Sequence, residues 1–179
     1  MTPPTRALWI TSRVASADPP RHRSGSVTGV ELVLRGIERG EVAAAVALIE
    51  EGTLSPGVED PTRLDDYWEA VLEVRRRGGE LLVAIRDDEV VAMCQIIIFR
   101  HFQHTAGWCA ELESVYVRSD ARGQGVGAAM IGHAEEFARA TGCYRVQLTS
   151  RHERVDAHRF YARLGYLRVS QGFKKPLVE

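Results

Sequence analysis

The chain has 179 residues, with 23 basic and 24 acidic side chains, a formal net charge of -1, 45% hydrophobic and 26% charged residues. Such a composition excludes a disordered or collagenous chain, and it excludes a nucleic-acid binder working through bulk charge, because no cationic excess exists to neutralise phosphates. No apolar run approaches the ~20 residues of a bilayer span, so no membrane partner is expected.

At about 100–200 residues per domain, this length allows one domain and a short extension. A domain of that size buries enough surface to stand without a disulfide or structural metal. Cys94, Cys109 and Cys143 form no CxxC pair and are too few for a disulfide framework, which points to reduced thiols in a cytoplasmic protein. Lys174 and Lys175 are the only lysines, so the other basic residues are all arginine, a bias that fits a GC-rich bacterial genome.

Residues 1–29 stand apart. They carry Arg6, Arg13, Arg21 and Arg23 against one acid, Asp18, together with Pro3, Pro4, Pro19 and Pro20. A basic, serine-bearing start is the composition of an organellar transit peptide, but the prolines break any amphipathic helix and no apolar secretory core is present. The expectation is a flexible N-terminal extension over 1–29, followed by a folded domain over 30–179.

Glu31–Arg35 reads as a first strand. Glu38–Glu51 carries Val42, Ala45, Val46 and Ile49 at helical spacing and stops at Gly52. Asp60-Pro61 predicts a second helix, with Asp60 as N-cap and Pro61 at its first position, running to Gly78-Gly79. Leu81–Ile85 and Val90–Phe102 read as a hairpin around the polar turn 86–89. Glu111–Val117 is a further strand, its alternation setting Leu112, Ser114 and Tyr116 against Glu113, Val115 and Val117. A glycine-rich turn leads into a helix over 125–140, then a strand over Tyr144–Leu148, a helix over Val155–Leu164 and a last strand over Tyr166–Phe173. This order indicates an α/β or α+β sheet covered by helices.

The strongest signal is Val117-Arg118-Ser119-Asp120-Ala121-Arg122-Gly123-Gln124-Gly125-Val126-Gly127-Ala128. A strand enters a loop of alternating glycines that opens directly into a helix. Main-chain N–H groups at a helix N-terminus attract an anion, and glycines let the backbone approach phosphate oxygens. A P-loop needs Gly-Lys-Ser/Thr, which is absent. A dinucleotide fold needs an acid about 20 residues on, where Leu148, Thr149 and Ser150 stand.

Arg122-x-x-Gly125-x-Gly127, between strand and helix, resembles the pyrophosphate-binding motif of the GNAT superfamily of acetyl-coenzyme A-dependent N-acetyltransferases. Gly142–Val146 and Asp156-Ala157-His158-Arg159-Phe160-Tyr161-x-x-Leu164-Gly165-Tyr166 extend the resemblance. The resemblance implies a GNAT fold: a mixed, mostly antiparallel central sheet, splayed at the acetyl-CoA site, with helices on both faces. It implies acetyl-CoA as co-substrate, held by the main chain of Val115, Tyr116 and Val117 and by Arg122, Gly123, Gln124, Gly125, Val126, Gly127 and Ala128. No metal is expected.

By the same resemblance Glu113 is the proton acceptor and Tyr161 the group that protonates the departing thiolate. Plainer readings stay open: an exposed strand acid for Glu113, an inward-facing core aromatic for Tyr161. Glu111, on the same strand face, could bind the acceptor or be the base, and Ser150 is assigned to the acceptor. Arg154 stands where relatives carry asparagine; Arg154 and His158 are expected near coenzyme A phosphates, with a surface histidine as the bland alternative for His158. His101 and His104, with Trp108 and Glu111, look similar to aminoalkylphosphonate and small-amine N-acetyltransferases. On an extended strand the two histidines face opposite ways, so joint metal binding would need a bulge.

The expected function is acetyl transfer to a primary amine, most simply a small molecule, by direct attack. Cys143 has no paired base in the sequence to support a covalent route. A non-catalytic acyl-CoA-binding module and a protein N-terminal acetyltransferase are the alternatives, and homodimerisation stays open.

Overall fold

The computed structural model describes residues 23–27 and 30–177. Six strands form one sheet in chain order: β1 (Arg23–Val27), β2 (Val30–Gly36), β3 (Glu80–Arg86), β4 (Glu89–Arg100), β5 (Trp108–Val117) and β6 (Cys143–Leu148). All neighbours pair antiparallel except β5 and β6, which run parallel. The expected mixed, mostly antiparallel sheet is therefore present. Arg23–Val27, which the sequence reading assigned to the extension, pair as β1 with β2; residues 1–22 and 28–29 lie outside the described residues.

Each face of the sheet is covered. Leu82, Ala84, Cys94, Ile96, Ala110 and Leu112 pack beneath α4 (Val126–Ala140), which contributes Met130, Ile131 and Ala134. On the other face, Val83 and Met93 meet α1 (Val42–Gly52) and α2 (Leu64–Arg76) through Val42, Val46 and Val71. The switch of face between Leu82 and Val83 follows from the two-residue period of a strand. Glu80 is buried, and desolvation pushes its carboxyl up although Arg75 Nε donates to it at 2.8 Å.

The β3–β4 hairpin turns at Asp87 and Asp88, both at positive φ (52° and 62°), the backbone that a tight two-residue hairpin requires. Three expectations shift. The second helix begins at Leu64, because Asp60 caps a separate turn: its Oδ1 accepts from Thr62 N at 2.9 Å, and Arg63 N donates to its carbonyl. Arg39–Glu41 form a short 3-10 turn ahead of α1. Tyr166–Phe173 forms no strand: after α5 (Val155–Arg163) the chain pairs with no sheet edge, and Leu167, Val169 and Phe173 are at least 80% exposed. Their alternation is that of a strand, but alternation alone makes no ladder without an edge to accept it.

Candidate active site

The site is made by the way β5 changes partners along its length. Trp108–Leu112 are paired on both sides, with β4 and with β6. Pairing with β6 ends at Leu112 opposite Leu148, while β5 continues along β4 to Val117. Glu113–Val117 therefore offer main-chain groups with no neighbouring strand on the β6 side.

A β-bulge sits at the parting. One β4 residue, Cys94, lies between Met93 and Gln95, whereas two β5 residues, Ser114 and Val115, lie between their partners Glu113 and Tyr116. Ser114 takes φ of +50° to accommodate the extra residue. This breaks the alternation expected from the sequence. Leu112, Val115 and Val117 face α4 together, whereas Ser114 and Tyr116 face α1 and α2.

Beyond Val117 the glycine loop is braced from behind. Ala121 and Val126 are buried, Gln124 Nε2 donates to Asp120 O at 2.5 Å, and Arg86 Nη1 donates to Gln124 Oε1 at 2.7 Å. Gly123 and Gly125 take φ of +73° and +84°, and Gly125 forms the N-cap of α4. A Cβ on Gly127 would lie 3.3 Å from the Phe160 ring. Among the described residues, the amides of Gly123, Gln124, Gly125, Val126, Gly127 and Ala128 donate to no main-chain carbonyl. A fan of free donors at the positive end of a 15-residue helix is a fit for a diphosphate. Arg122 adds a half-exposed guanidinium whose Nε donates to Val117 O at 2.9 Å. Arg118 is already engaged by Glu89 and Asp120, each at 2.7 Å.

Glu113 stands close enough to Tyr161 for its charge to help hold the phenol protonated. Burial and the neighbouring Glu111 hold the Glu113 carboxyl above the usual carboxylate range, with Lys174 opposing them. Glu111 itself accepts from Gln147 Nε2 at 3.2 Å. Tyr161 packs edge-on against Phe160 and Tyr166 in the α4 face, and burial pushes its phenol up to about 12. It is thus both a core aromatic and a protonated hydroxyl. Ser150 Oγ, just past β6, is buried with no hydrogen-bond partner among the described residues. Cys94 is buried with its thiol pushed up to about 12, and burial likewise raises Cys143, so neither supplies a thiolate.

A cavity of about 90 Å³ lies on the α1/α2 face, lined by Val46, Ile49, Tyr67, Met93, Gln95 and Ser114. It has room for a few waters or a short alkyl group and reaches the bulge. Tyr67 lines it, and its hydroxyl donates to Glu59 at 2.6 Å. Gln95 and Glu51, whose carboxylate accepts from Ser119 N at 2.7 Å, were missed by the sequence reading. The signal for Gln95 was there, a polar residue inside the apolar run Val90–Phe99.

Arg154 Nη2 donates to Gly52 O at 2.7 Å, and the guanidinium lies 5.9 Å from the Tyr116 ring centroid. Gly52 ends α1 next to Glu51, whose carboxylate accepts from Ser119 N and lies 3.9 Å from Arg122 Nη2. His158 lies half-buried on α5, one turn beyond Arg154. His101 and His104 belong to the opposite end of the β5–β6 pair. There the single irregular turn α3 (Gln103–Ala106) holds His104, Thr105 and Ala106 at positive φ and brings both imidazoles against Tyr144. No cluster of three metal-binding side chains occurs among the described residues, and no helix there is long and apolar enough to cross a membrane.

Comparison with known proteins agrees with this geometry. The model of the acetyltransferase (GNAT) family matches residues 43–166. The chain is 38% identical over 95 residues to the aminoalkylphosphonate N-acetyltransferase of Salmonella typhimurium, covering 53% of this chain and 61% of that protein. It is 29% identical over 99 residues to glucosamine 6-phosphate N-acetyltransferase 1 of Oryza sativa subsp. japonica, covering 53% of this chain and 58% of that one. The matches therefore span about three-fifths of the length of these curated relatives. Among solved structures, one described as a transcriptional regulator from Bacillus halodurans C-125 superposes with a TM-score of 0.76 at 30% identity, over 82% of this chain and 99% of that one. With the parted strands, the braced loop and these matches together, the chain belongs to the acetyltransferase (GNAT) family.

Proposed function

We propose that this protein transfers an acetyl group from acetyl-CoA to the nitrogen of a small primary amine. The observation that carries the reading is the meeting of three features at one parting of strands: unpaired main chain over Glu113–Val117, free amides over 123–128, and the Glu113–Tyr161 pair.

Acetyl-CoA supplies an activated acyl carbon as a thioester. The amides of 123–128 and Arg122 hold its diphosphate, and the open edge of Val115, Tyr116 and Val117 pairs with its pantetheine arm as an added strand. A main-chain N–H of this edge donates to the thioester oxygen as negative charge gathers there. The amine nitrogen must lose a proton as its bond to the acyl carbon forms, and Glu113 takes that proton directly or through one water. Burial and Glu111 raise its pKa, which makes its carboxylate a stronger base than a free glutamate. As the carbon–sulfur bond breaks, Tyr161 delivers its proton to the sulfur, and a phenol held near 12 is fully protonated for that task. The route needs no covalent enzyme intermediate, in keeping with the protonated state of Cys94 and Cys143.

The two curated relatives are, by name, acetyltransferases of amines that carry a phosphorus oxyanion, which favours a small amine as the acceptor. Release of free CoA, followed with a thiol reagent across a panel of amines, tests the reading. Turnover that depends on Glu113 and Tyr161 supports it. Saturable acetyl-CoA binding without turnover of any amine would instead favour an acyl-CoA-sensing module, a reading to which the similarity with a protein described as a transcriptional regulator lends weight.

A further inference from the structure

Of the 23 basic side chains, only Lys174 and Lys175 are amines that can accept an acetyl group; the rest are arginines, whose guanidinium groups stay charged and do not attack. Both lysines stand in the tail that follows α5. That tail forms no strand, and every residue from Leu167 to Leu177 is exposed.

The tail passes the parting of β5 and β6 at its start and again near its end. It leaves from Tyr166, whose main-chain N donates to Tyr161 O at 3.0 Å and whose ring centroid lies 5.7 Å from that of Tyr161. From Leu167 to Leu177 no main-chain hydrogen bond joins it to a described residue. It then returns to the end of β6, where a Cβ on Gly172 would lie 4.0 Å from Thr149 Cγ2. Leu112 and Leu148 are the last pair of β5 and β6, so Glu113 and Thr149 are the first residues on either side of the opening. Lys174 stands two residues past Gly172, and of the two lysines it is the one whose charge reaches the Glu113 carboxyl. No hydrogen bond or ion pair fixes its ammonium among the described residues.

We infer that Lys174 is itself an acetyl acceptor, and that the protein acetylates its own tail within one chain, at the site that serves free amines. The inference rests on the acetyl transfer proposed above. Lys174, as its free amine, forms the bond from Nζ to the acyl carbon of acetyl-CoA and yields a proton to Glu113. The carbon–sulfur bond breaks, its electron pair goes to sulfur, and Tyr161 protonates that sulfur. The products are an N-acetylated Lys174 and free CoA. A nucleophile on a short flexible tether is present at an effective concentration on the order of millimolar, well above that of the protein in solution, so transfer within a chain outruns transfer between chains.

The test incubates the full chain with acetyl-CoA and no added amine, and follows intact mass and the tail peptide by mass spectrometry. One acetyl group per chain is expected, on Lys174, with Lys175 slower by roughly 10-fold or more, because acyl transfer is steep in the placement of the nucleophile. The half-time should not change between about 1 and 30 μM protein, since the tether sets the local concentration. Glu113→Gln should slow the modification by about 100-fold and Tyr161→Phe by about 10-fold, so either variant alone reports on the site. Lys174→Arg, which keeps the charge and removes the nucleophile, should end the mass gain, whereas Lys175→Arg should keep it.

Acetylation spread evenly over Lys174, Lys175 and the amino terminus, and slowed by neither site variant, would be the uncatalysed reaction of acetyl-CoA with exposed amines and would overturn the inference. So would a half-time that shortens in proportion to protein concentration, which would place the transfer between two chains. An unmodified tail in protein that releases CoA with free amines would overturn it too, while leaving the proposed function standing. No CoA release with the tail or with any amine would sink the transferase reading itself.

Discussion

β5 keeps one neighbour, β4, along its whole length, but its two halves differ on the other side. Trp108–Leu112 are sealed by β6, and Cys109, Ala110 and Leu112 are almost wholly buried. Glu113–Val117 are half-buried and open on that side. At the sealed end, the His101 and His104 rings stack and both lie tilted against Tyr144; at the open end stand Glu113, Tyr161 and the glycine loop. Aromatic and titratable residues occur at both ends, so residue type does not mark the site. What marks it is main chain left unpaired inside an otherwise complete sheet, an arrangement that is unfavourable unless something fills it.

The largest effects should come from the open half. Glu113→Gln removes the proton acceptor and should lower kcat by about 10²–10⁴-fold while acetyl-CoA affinity, measured by calorimetry, holds. The pH profile carries the same signature. Glu113 works as a base only when ionised, so kcat/KM should rise with pH through a limb whose midpoint lies above the ordinary glutamate value of about 4.3, and Glu113→Gln should abolish that limb.

Next in size, Gly125→Val forces a β-branched residue to φ of +84° and crowds the free amides; acetyl-CoA should bind roughly 100-fold more weakly by calorimetry. Tyr161→Phe keeps the ring and loses the proton. A fall in kcat of roughly 10–100-fold with little change in KM is expected, most visible for poorly activated amines. At the sealed end, His104→Ala should leave kcat/KM within about twofold. A larger loss there would mean that the two ends are not functionally distinct.

The glycine loop was legible in the sequence because its constraint is local: Gly123 and Gly125 need positive φ, and only the residue type reports that. The β3–β4 hairpin around the polar turn 86–89 and the helix after the loop were legible from local pattern for the same reason. The bulge was not. Ser114 takes positive φ with no glycine to announce it, and the strain is accepted because β4 and the packing of Val115 and Tyr116 over-determine the register. Strict alternation therefore placed Ser114–Val117 on the wrong faces relative to Leu112. Arg154 was legible as a departure from a motif but not as a contact, since its partners, Gly52 and Tyr116, are far away in sequence. The last strand failed in the other direction: Leu167, Val169 and Phe173 carry the pattern, and pattern does not create an edge.

Hydrogen–deuterium exchange with and without acetyl-CoA tests the central claim most directly, because it reads main-chain amides one segment at a time. Slower exchange on binding within 113–117 and 123–128, with 101–112 unchanged, is the predicted result. Unchanged exchange in those two segments under saturating acetyl-CoA, or protection confined to 101–112, would contradict the account.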